Sequence, residues 1–297
     1  MATAFCPAHI TGFFKAELDK EDSKQLGSLG AGFSIQKGVK TTVTIRNKTK
    51  HDISNFTIKV NGFESGNMRV SKVVLSKFST KGKFVDIIHE IDVPVGYGFG
   101  SSAAVALSLS IALNDALECK LSKIKVAQIA HDVEIECKTG LGDVLASYYG
   151  GFEIRDKPGA PGIGHVQNIT LNKISIIMIC FSPISTSKFI KERLPRINGL
   201  GGKMVNKLLE SKNYEHFQEM SLEFAKYVDV MTPRMQKVVN ELSKNNIKCG
   251  IALFGETIFS MIPKENENKI LKILEKYSDG IIIKSELDNT GARILYN

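Results

Sequence analysis

The 297-residue sequence has no tryptophan, only five cysteines, and no apolar run of the length that spans a membrane. The cysteines are scattered, and their spacing fits neither a metal knuckle nor a C-x-x-C redox pair. We therefore expect buried thiols in a reducing compartment. The N-terminal segment lacks a basic region followed by an apolar core, so we expect a cytoplasmic protein that does not associate with membranes.

The formal charge of +8 favours anionic partners, which include nucleic acids and phosphorylated metabolites. A nucleic-acid binder should carry a dense basic run, or basic residues interleaved with exposed aromatics. The lysines here are spread along the chain with acids beside them, as in residues 264–276. This pattern is typical of solvated helix faces, so we expect a small anionic molecule as partner and no nucleic acid.

The apolar pattern divides the chain near residue 170. Strand-like segments at 31–46, 56–62 and 84–93 predict a sheet-forming N-terminal region, and helices are predicted over 102–117 and from an N-cap at Ser122 to about Cys137. A buried strand at 173–181 and helical segments to about residue 242 follow, and the tail then predicts strand, strand, helix, strand. This βαββαβ order indicates a ferredoxin-like domain, so we expect an α+β protein with domains at 1–170 and 171–297.

The segment most informative about function is Pro94-Val95-Gly96-Tyr97-Gly98-Phe99-Gly100-Ser101-Ser102-Ala103-Ala104, between a predicted strand and a long predicted helix. Glycines at alternate positions allow a tight turn close to a ligand, and a helix start presents unpaired N–H groups and a positive dipole end. The two serines supply hydroxyls for phosphate or Mg²⁺. The sequence therefore predicts a phosphate-binding loop, and a glycine-rich turn before a buried helix is the alternative.

Two other nucleotide-binding patterns are not found. Gly201-Gly202-Lys203-Met204 lacks both the leading spacing and the final Ser or Thr of a Walker A motif. A Rossmann site is disfavoured because the glycine spacing differs and no ribose-binding acid follows a second parallel strand.

Phosphoryl transfer to an alcohol uses a carboxylate that holds Mg²⁺ and often a second one that accepts or orients the hydroxyl proton. The candidate acids lie close to the glycine-rich loop in sequence and are Asp132, Glu134, Glu136 and Asp143. Taken alone, an aspartate after glycine more often caps a helix than acts as a base, and glutamates within a helix fit solvated positions.

The loop resembles the second shared motif of the GHMP kinases, Pro-x-x-x-Gly-Leu-Gly-Ser-Ser-Ala, with Phe99 where Leu is usual. This resemblance implies that ATP is bound by Pro94, Gly96, Gly98, Phe99, Gly100, Ser101, Ser102 and Ala103, with Mg²⁺ near Ser101 and Ser102. A second resemblance, to a Ser-Gly-x-Asp pattern before a short helix and a Gly-Gly pair, implies that Asp143 is the catalytic aspartate. Glu134 then matches the magnesium-binding glutamate, and Asp132 and Glu136 remain alternatives.

Two N-terminal segments, at 6–14 and 27–33, resemble motifs of the archaeal pantoate kinases, and the resemblance extends over nearly the whole chain. It implies the two-domain GHMP kinase fold, with an N-terminal ribosomal-protein-S5-domain-2-like domain and a C-terminal ferredoxin-like domain. Gly255-Glu256-Thr257 occupies the place of the third glycine-rich motif but has fewer glycines, so a hairpin turn is the alternative there.

The family resemblance further implies transfer of the γ-phosphoryl group of ATP to the 4-hydroxyl of (R)-pantoate, a step toward coenzyme A. Pantoate is a small anion, so its site needs a cation or backbone N–H groups, and the candidate substrate-binding residues are His9, Thr11, Gly30 and Arg155. Another acceptor, such as mevalonate, homoserine or shikimate, is one alternative. A regulatory protein that binds nucleotide without phosphoryl transfer is another. We further expect that the protein can form a homodimer.

Overall fold

The computed structural model describes residues 1–64 and 68–296, and it confirms the predicted α+β class. Its elements are, in chain order, β1 (Ala2–Glu17), β2 (Gly27–Asn47), β3 (Phe56–Val60), β4 (Phe63–Glu64), α1 (Arg69–Ser76), β5 (Lys83–Ile91), α2 (Ser101–Ala116), α3 (Lys123–Cys137), α4 (Asp143–Tyr149), β6 (Phe152–Lys157), β7 (His165–Ile169), β8 (Ile174–Pro183), α5 (Thr186–Ser211), α6 (Tyr214–Tyr227), α7 (Pro233–Lys244), β9 (Gly250–Ala252), β10 (Gly255–Pro263), α8 (Glu267–Leu274), β11 (Ile281–Glu286) and β12 (Arg293–Leu295). None of the helices in the described ranges is long and apolar enough to cross a membrane.

The first sheet has eight strands, with the order β12-β1-β2-β5-β3-β4, and β6 and β7 join it through β2. β3 and β5 are parallel, and the other pairs are antiparallel. The predicted segments at 31–46, 56–62 and 84–93 correspond to β2, β3 and β5. One face of this sheet packs on α2, and β1 also contacts α5 and α6 of the second half.

The long first strand was not predicted. Residues 6–14 of β1 are all buried, because helices cover this part of the strand from both sides. A strand that is buried on both faces has no alternation of apolar and polar residues, so the usual signal is missing.

The helix boundaries around the glycine-rich loop follow the local capping chemistry. α3 begins after Ser122, whose Oγ accepts a hydrogen bond from the Lys125 N–H (3.3 Å), so the predicted N-cap is confirmed. The helix ends at Cys137 as predicted, but its left-handed C-terminal residue is Lys138 rather than the glycine at position 140.

The second sheet is antiparallel, with the order β11-β8-β10-β9. The succession of β8, helices α5 to α7, β9, β10, α8 and β11 follows the predicted βαββαβ order. The two sheets divide between β7 and β8, close to residue 170, but β12 returns to pair with β1. The predicted division at 170 therefore stays a prediction, with the last strand contributing to the first sheet.

The two sheets share an aromatic core centred on Phe217 of α6. Its ring lies 5.8 Å from that of Phe13, 6.1 Å from Phe33 and 5.1 Å from Phe152, all on strands of the first sheet. It also lies 5.7 Å from the ring of Phe259 on β10 of the second sheet. Buried aromatic contacts of this kind hold the two sheets in a defined relation, which positions the loops at their junction.

Candidate active site

The glycine-rich loop lies between β5 and α2 and follows a tightly turned path. The φ angles of Gly96, Gly98 and Gly100 are +88°, +85° and +56°. Residues with a Cβ rarely adopt such angles, so glycines at these alternate positions allow the turn. α2 begins directly after Gly100, and no side chain in the described part of the chain caps its first turn. The N–H groups of that turn are therefore available to an anion.

A cavity in front of this loop brings together most of the residues that the sequence predicted for ATP. It is lined by Gly96, Gly98, Phe99, Gly100, Ser101, Ser102, Thr11, Thr139, Asp143 and Phe254. The two other predicted residues lie behind the lining, since Ala103 is fully buried and Pro94 precedes the loop in a half-buried position. Asp143 and Thr11 thus face the same cavity as the phosphate-loop glycines.

The second sheet contacts this loop through hydrogen bonds to its carbonyl groups. The Thr257 hydroxyl on β10 donates to the carbonyl of Tyr97 (2.8 Å). The Ile184 N–H, just after β8, donates to the carbonyl of Gly96 (3.0 Å). Because these two carbonyl oxygens are hydrogen-bonded to the second half of the chain, they do not point into the cavity in place of the loop N–H groups.

The turn between β9 and β10 packs directly against the loop. A Cβ at Gly98 would overlap the carbonyl oxygen of Leu253, and a Cβ at Gly255 would overlap the backbone of Tyr97. Both glycines are therefore required by close backbone approach. The hairpin given as the alternative to the third motif is present, with its turn at Leu253-Phe254 and Gly255-Glu256-Thr257 as the first residues of β10. The turn also forms one wall of the cavity through Phe254.

Glu134 on α3 lies beside the loop and is almost fully buried. The hydroxyls of Ser102 and Thr139 donate to its two carboxylate oxygens, at 3.1 Å and 2.5 Å. Burial raises the pKa of Glu134 to about 7; the Thr139 hydrogen bond opposes this rise, and the negative charge of Asp143 adds to it. A carboxylate beside a serine hydroxyl and a phosphate loop suits Mg²⁺, which binds through few protein oxygens together with phosphate oxygens.

The two alternative acids face other partners. Asp132 pairs with Lys24 (3.1 Å), and Glu136 pairs with Lys77 (2.7 Å) at the surface. Glu134 is thus the candidate whose carboxylate contacts the phosphate loop. Within residues 1–64 and 68–296 we find no group of three or more His, Cys, Asp and Glu side chains arranged to hold a metal ion.

Asp143 is the first residue of α4, and the N-cap position of that helix is Gly142. The alternative in which Asp143 caps the helix is therefore wrong. Its Oδ1 lies 2.8 Å from His9 Nδ1 and 3.4 Å from Thr11 Oγ1. Burial by itself would raise the pKa of Asp143, but the His9 hydrogen bond and the positive charges of His9 and Arg155 hold it below its ordinary value. Asp143 is thus an ionised carboxylate at the cavity wall.

His9 on β1 is fully buried behind Asp143. Its Nε2 lies 2.9 Å from Oε1 of Glu153, so both ring nitrogens are engaged. Burial tends to lower the pKa of His9, but the hydrogen bonds to Asp143 and Glu153 raise it above its ordinary value. The lining of the cavity at the loop does not include His9, and the contact that the structure shows for its side chain is with Asp143. The predicted contact of His9 with substrate stays a prediction.

Arg155 on β6 is also fully buried, with Nη1 2.5 Å from Glu153 Oε1. The lining of a second, smaller cavity beside the first includes Thr11, Asp143 and Arg155. Nε and Nη2 of Arg155 have no hydrogen-bond partner among the residues that the structure describes. The predicted substrate residue Gly30 lies against this guanidinium, since a Cβ there would sit 2.5 Å from Nη2. Gly30 therefore makes room for Arg155.

The residues at the site without a role in the sequence-based prediction include Thr139, Glu153 and Phe254. Glu153 precedes Arg155 by two positions on β6, and alternate residues of a strand share a face, so this spacing was an available signal. Thr139 and Phe254 lie in turns that reach the site across the fold. The partner of Thr139 is Glu134, only five residues earlier, whereas the neighbours of Phe254 are distant in sequence, so no local pattern indicates the contact of Phe254.

The loop and its two acids are features of a known class of kinase. A family model described as the GHMP kinases N terminal domain matches residues 68–151, which contain the loop, Glu134 and Asp143. A solved structure described as a phosphotransferase related to the CoA biosynthesis pathway has a TM-score of 0.89 to this chain at 28% identity, and the match covers 98% of this chain and 97% of that one. The fold and the site define a GHMP kinase, which confirms the predicted fold.

The relatives in sequence identify the family within this class. The pantoate kinase of Methanocaldococcus jannaschii is 33% identical over 276 residues, which cover 91% of this chain and 96% of that protein. The pantoate kinase of Thermococcus kodakarensis is 29% identical over 275 residues, which cover 91% of each chain. The chain belongs to the pantoate kinase family.

The position of Gly98 allows a direct test of the phosphate loop. In Gly98→Ala, the new Cβ would meet the carbonyl of Leu253 at a backbone angle that alanine rarely adopts. Strain of this kind costs about 1–3 kcal/mol, so we expect ATP affinity to fall roughly 10-fold or more. Isothermal titration with a non-hydrolysable ATP analogue measures the change.

The matched control is Gly82→Ala, since Gly82 also has a positive φ (+73°) but has no atom within 4 Å of the added Cβ. We expect it to lower stability slightly and to leave ATP affinity unchanged. Equal affinity of the Gly98 variant and the wild type would place the nucleotide elsewhere.

Proposed function

We propose that this chain is an enzyme that transfers the γ-phosphoryl group of ATP to the 4-hydroxyl group of (R)-pantoate, giving 4-phosphopantoate for coenzyme A biosynthesis. The observation that carries this proposal is a pair of adjoining cavities, which combine the phosphate loop, the carboxylate of Asp143 and the guanidinium of Arg155. Membership of the pantoate kinase family supports the choice of acceptor.

The loop from Gly96 to Ser102 would hold the phosphates of ATP. Its N–H groups and the N-terminus of α2 stabilise negative charge at the cavity, because the helix dipole adds to the unpaired donors. α2 has no acidic residue in its first turn, so no carboxylate competes with the phosphates there.

The oxygens around the loop fit Mg²⁺. Glu134 and the hydroxyls of Ser101 and Ser102 are the residues that would hold it. When bound, Mg²⁺ neutralises negative charge on the phosphate oxygens. The high pKa of Glu134 fits this role as well, because a buried carboxylate without a nearby cation is poorly stabilised in its charged form.

Arg155 suits the carboxylate of the acceptor. Its Nε and Nη2 have no partner in the described part of the chain, and a guanidinium edge binds a carboxylate through two parallel hydrogen bonds. Thr11 borders the same cavity and provides a hydroxyl beside Asp143. An acceptor that is held between Arg155 and Asp143 would place its own hydroxyl toward the phosphate loop.

The approach to this cavity also favours an anion. A wider cleft shares Gly140, Leu141 and Ile190 with the cavity at Arg155, and its lining includes Lys138, Lys188 and Lys191. One acid, Glu192, lies among these lysines. The resulting positive potential would raise the local concentration of an anionic acceptor.

In the transfer step, Asp143 would orient the acceptor hydroxyl and take its proton as the new P–O bond forms and ADP leaves. His9 occupies Oδ1 of Asp143, so Oδ2 is the oxygen left for the hydroxyl. A carboxylate with a low pKa is a weak base, but phosphoryl transfer through a loose transition state depends mainly on positioning and charge stabilisation. Asp143 is fixed in position by buried hydrogen bonds, which suits that requirement.

The acceptor is tested by measuring ADP release with ATP, Mg²⁺ and one candidate at a time. We expect turnover with pantoate, and background rates with pantothenate, mevalonate, homoserine and shikimate. All five carry a single carboxylate, so the contact with Arg155 does not separate them, and the expectation rests on membership of the pantoate kinase family. Preference for another of these acceptors would move the chain to a different substrate within the GHMP kinases. ATP binding without turnover on any of them would favour the regulatory protein instead.

A cytoplasmic location, a homodimer and the lack of a nucleic-acid partner stay predictions.

Substitution of Asp143 tests the proton transfer. Asp143→Asn keeps the size of the side chain but removes its charge, so we expect kcat to fall about 10²–10⁴-fold while ATP affinity changes little. Steady-state kinetics and titration with ATP give the two values. Asp115→Asn, at the exposed end of α2, is the control and should match the wild type. Retained turnover in the Asp143 variant would remove this residue from the reaction.

Substitution of Glu134 tests the metal site. In Glu134→Gln we expect the Mg²⁺ concentration for half-maximal activity to rise roughly 10-fold or more, since the carboxylate is lost but the side chain keeps its shape. Asp132→Asn and Glu136→Gln are the controls, and a strong effect in either one with none at Glu134 would relocate the metal ligand.

Because the pKa of Glu134 is about 7, protons should compete with Mg²⁺ as the pH falls below that value, so the wild type should need more Mg²⁺ at low pH.

A further inference from the structure

Four ionisable side chains form one continuous buried chain of contacts behind the cavity. His9 Nδ1 lies 2.8 Å from Asp143 Oδ1, and His9 Nε2 lies 2.9 Å from Glu153 Oε1. Arg155 Nη1 lies 2.5 Å from the same Glu153 oxygen. The side chains of His9, Glu153 and Arg155 are 0% exposed, and Asp143 at the cavity end is 15% exposed.

The two carboxylates favour a protonated His9, whereas the Arg155 guanidinium, with Nη1 3.4 Å from His9 Nε2, opposes it. An ionised carboxylate has only acceptors, so a ring with a carboxylate at each nitrogen needs an N–H at both. His9 is then an imidazolium that donates twice. Two carboxylates are thereby balanced by His9 and Arg155, which fits the rule that buried charges are paired.

Glu153 takes part in this chain without reaching the cavities. It is fully buried on β6, and it lines neither the cavity at the phosphate loop nor the cavity at Arg155. The backbone of β2 makes room for its contact with His9, since a Cβ at Gly32 would sit 2.5 Å from His9 Nε2. Any effect of Glu153 on the reaction must therefore act through its two partners, His9 and Arg155.

We propose that Glu153 is a positioning residue for phosphoryl transfer, because it fixes His9 as the double donor that holds Asp143 with Oδ2 free for the acceptor hydroxyl. The link to turnover rests on the proposed function, whereas the pairing of Glu153 with His9 does not. Without the charge of Glu153, burial disfavours the imidazolium. A neutral His9 with its proton on Nε2 would turn a lone pair toward Asp143 and lose that hydrogen bond.

Glu153→Gln is the sharpest test of this proposal. Arg155 donates to the same oxygen that accepts from His9, so the glutamine carbonyl should keep that position and the shape of the core should be preserved. It would still accept from His9 Nε2–H but would no longer favour a second ring proton. His9 should then lose its imidazolium form at a lower pH than in the wild type.

Two measurements test whether the protonation of His9 changes in this way. Imidazole NMR, with the His9 signal assigned by comparison with His9→Gln, should show His9 protonated through neutral pH in the wild type and titrating at lower pH in the Glu153 variant. The pH profile of kcat should lose its alkaline side in the variant, with a fall of about 10–100-fold, the size typical of removing a partner that orients a functional group. The KM for ATP should not change, because the phosphate loop is untouched.

Controls separate this role from a general effect on folding. Glu153→Asp restores the charge and should recover the imidazolium and part of kcat. Asp156→Asn is the matched control, since Asp156 is on the same strand and also pairs with a histidine, His165 (2.6 Å), but outside the site. It should leave both measurements unchanged.

An unaltered His9 titration and an unaltered pH profile in Glu153→Gln would overturn the proposal. If that variant does not fold, the wild type decides, because a His9 that titrates at or below its ordinary pKa would equally overturn it. If the wild type shows no pantoate-dependent turnover, the proposed function fails, and the NMR titration still decides whether Glu153 holds His9 as an imidazolium.

Discussion

Mutual neutralisation of buried charges is the constraint on which the acceptor side of this site depends. A charge on any one of these side chains would be strongly unfavourable without its partners, because burial removes the water that stabilises an ion. The four side chains are those of Asp143, His9, Glu153 and Arg155. Together they form a chain in which every charge has an opposite neighbour at hydrogen-bond distance. The chain therefore holds the carboxylate of Asp143 ionised and oriented at a place where an isolated aspartate would tend to become protonated.

The nucleotide side depends on a different constraint, the close contact between the two sheets. The loop is bonded on one side to β1, through the His9 N–H and the carbonyl of Phe99 (3.1 Å), and on the other to Thr257 of β10. The β9–β10 turn is in turn bonded to β1, because the Leu253 N–H donates to the carbonyl of Thr11 (3.1 Å). His9 thus contributes to both sides, with its backbone to the loop and its side chain to Asp143. A shift of β1 would disturb the phosphate loop and the carboxylate together.

The sequence predicts the parts of this site that depend on local chemistry. Alternating glycines before a helix indicate a phosphate loop because the backbone angles of Gly96, Gly98 and Gly100 are a local requirement. The resemblance to the family motif indicates that Asp143 is the candidate catalytic aspartate. The burial of His9 and Arg155 could not be predicted in this way, because a histidine or an arginine is usually exposed and its burial depends on partners that are distant in the chain. Glu153 and Asp143 are 144 and 134 residues from His9. β1 itself gave no strand signal, since both of its faces are covered by helices.

In the proposed function, the class of acceptor would follow from the hydrogen-bond donors that the charge chain leaves without a partner. A fold of this kind supports many substrates, so specificity must come from the side chains at the cavity. Arg155 uses Nη1 for Glu153, and its Nε and Nη2 have no partner among the described residues. A buried donor without a partner costs about 1–3 kcal/mol, and more for a charged group. An acceptor with a carboxylate would satisfy both donors, whereas a neutral alcohol of the same size would leave them unpaired in a closed site. Discrimination by such unpaired groups is much stronger than discrimination by size. In the proposed function, the arginine that Glu153 holds in the core would therefore also make the cavity selective for an anionic alcohol.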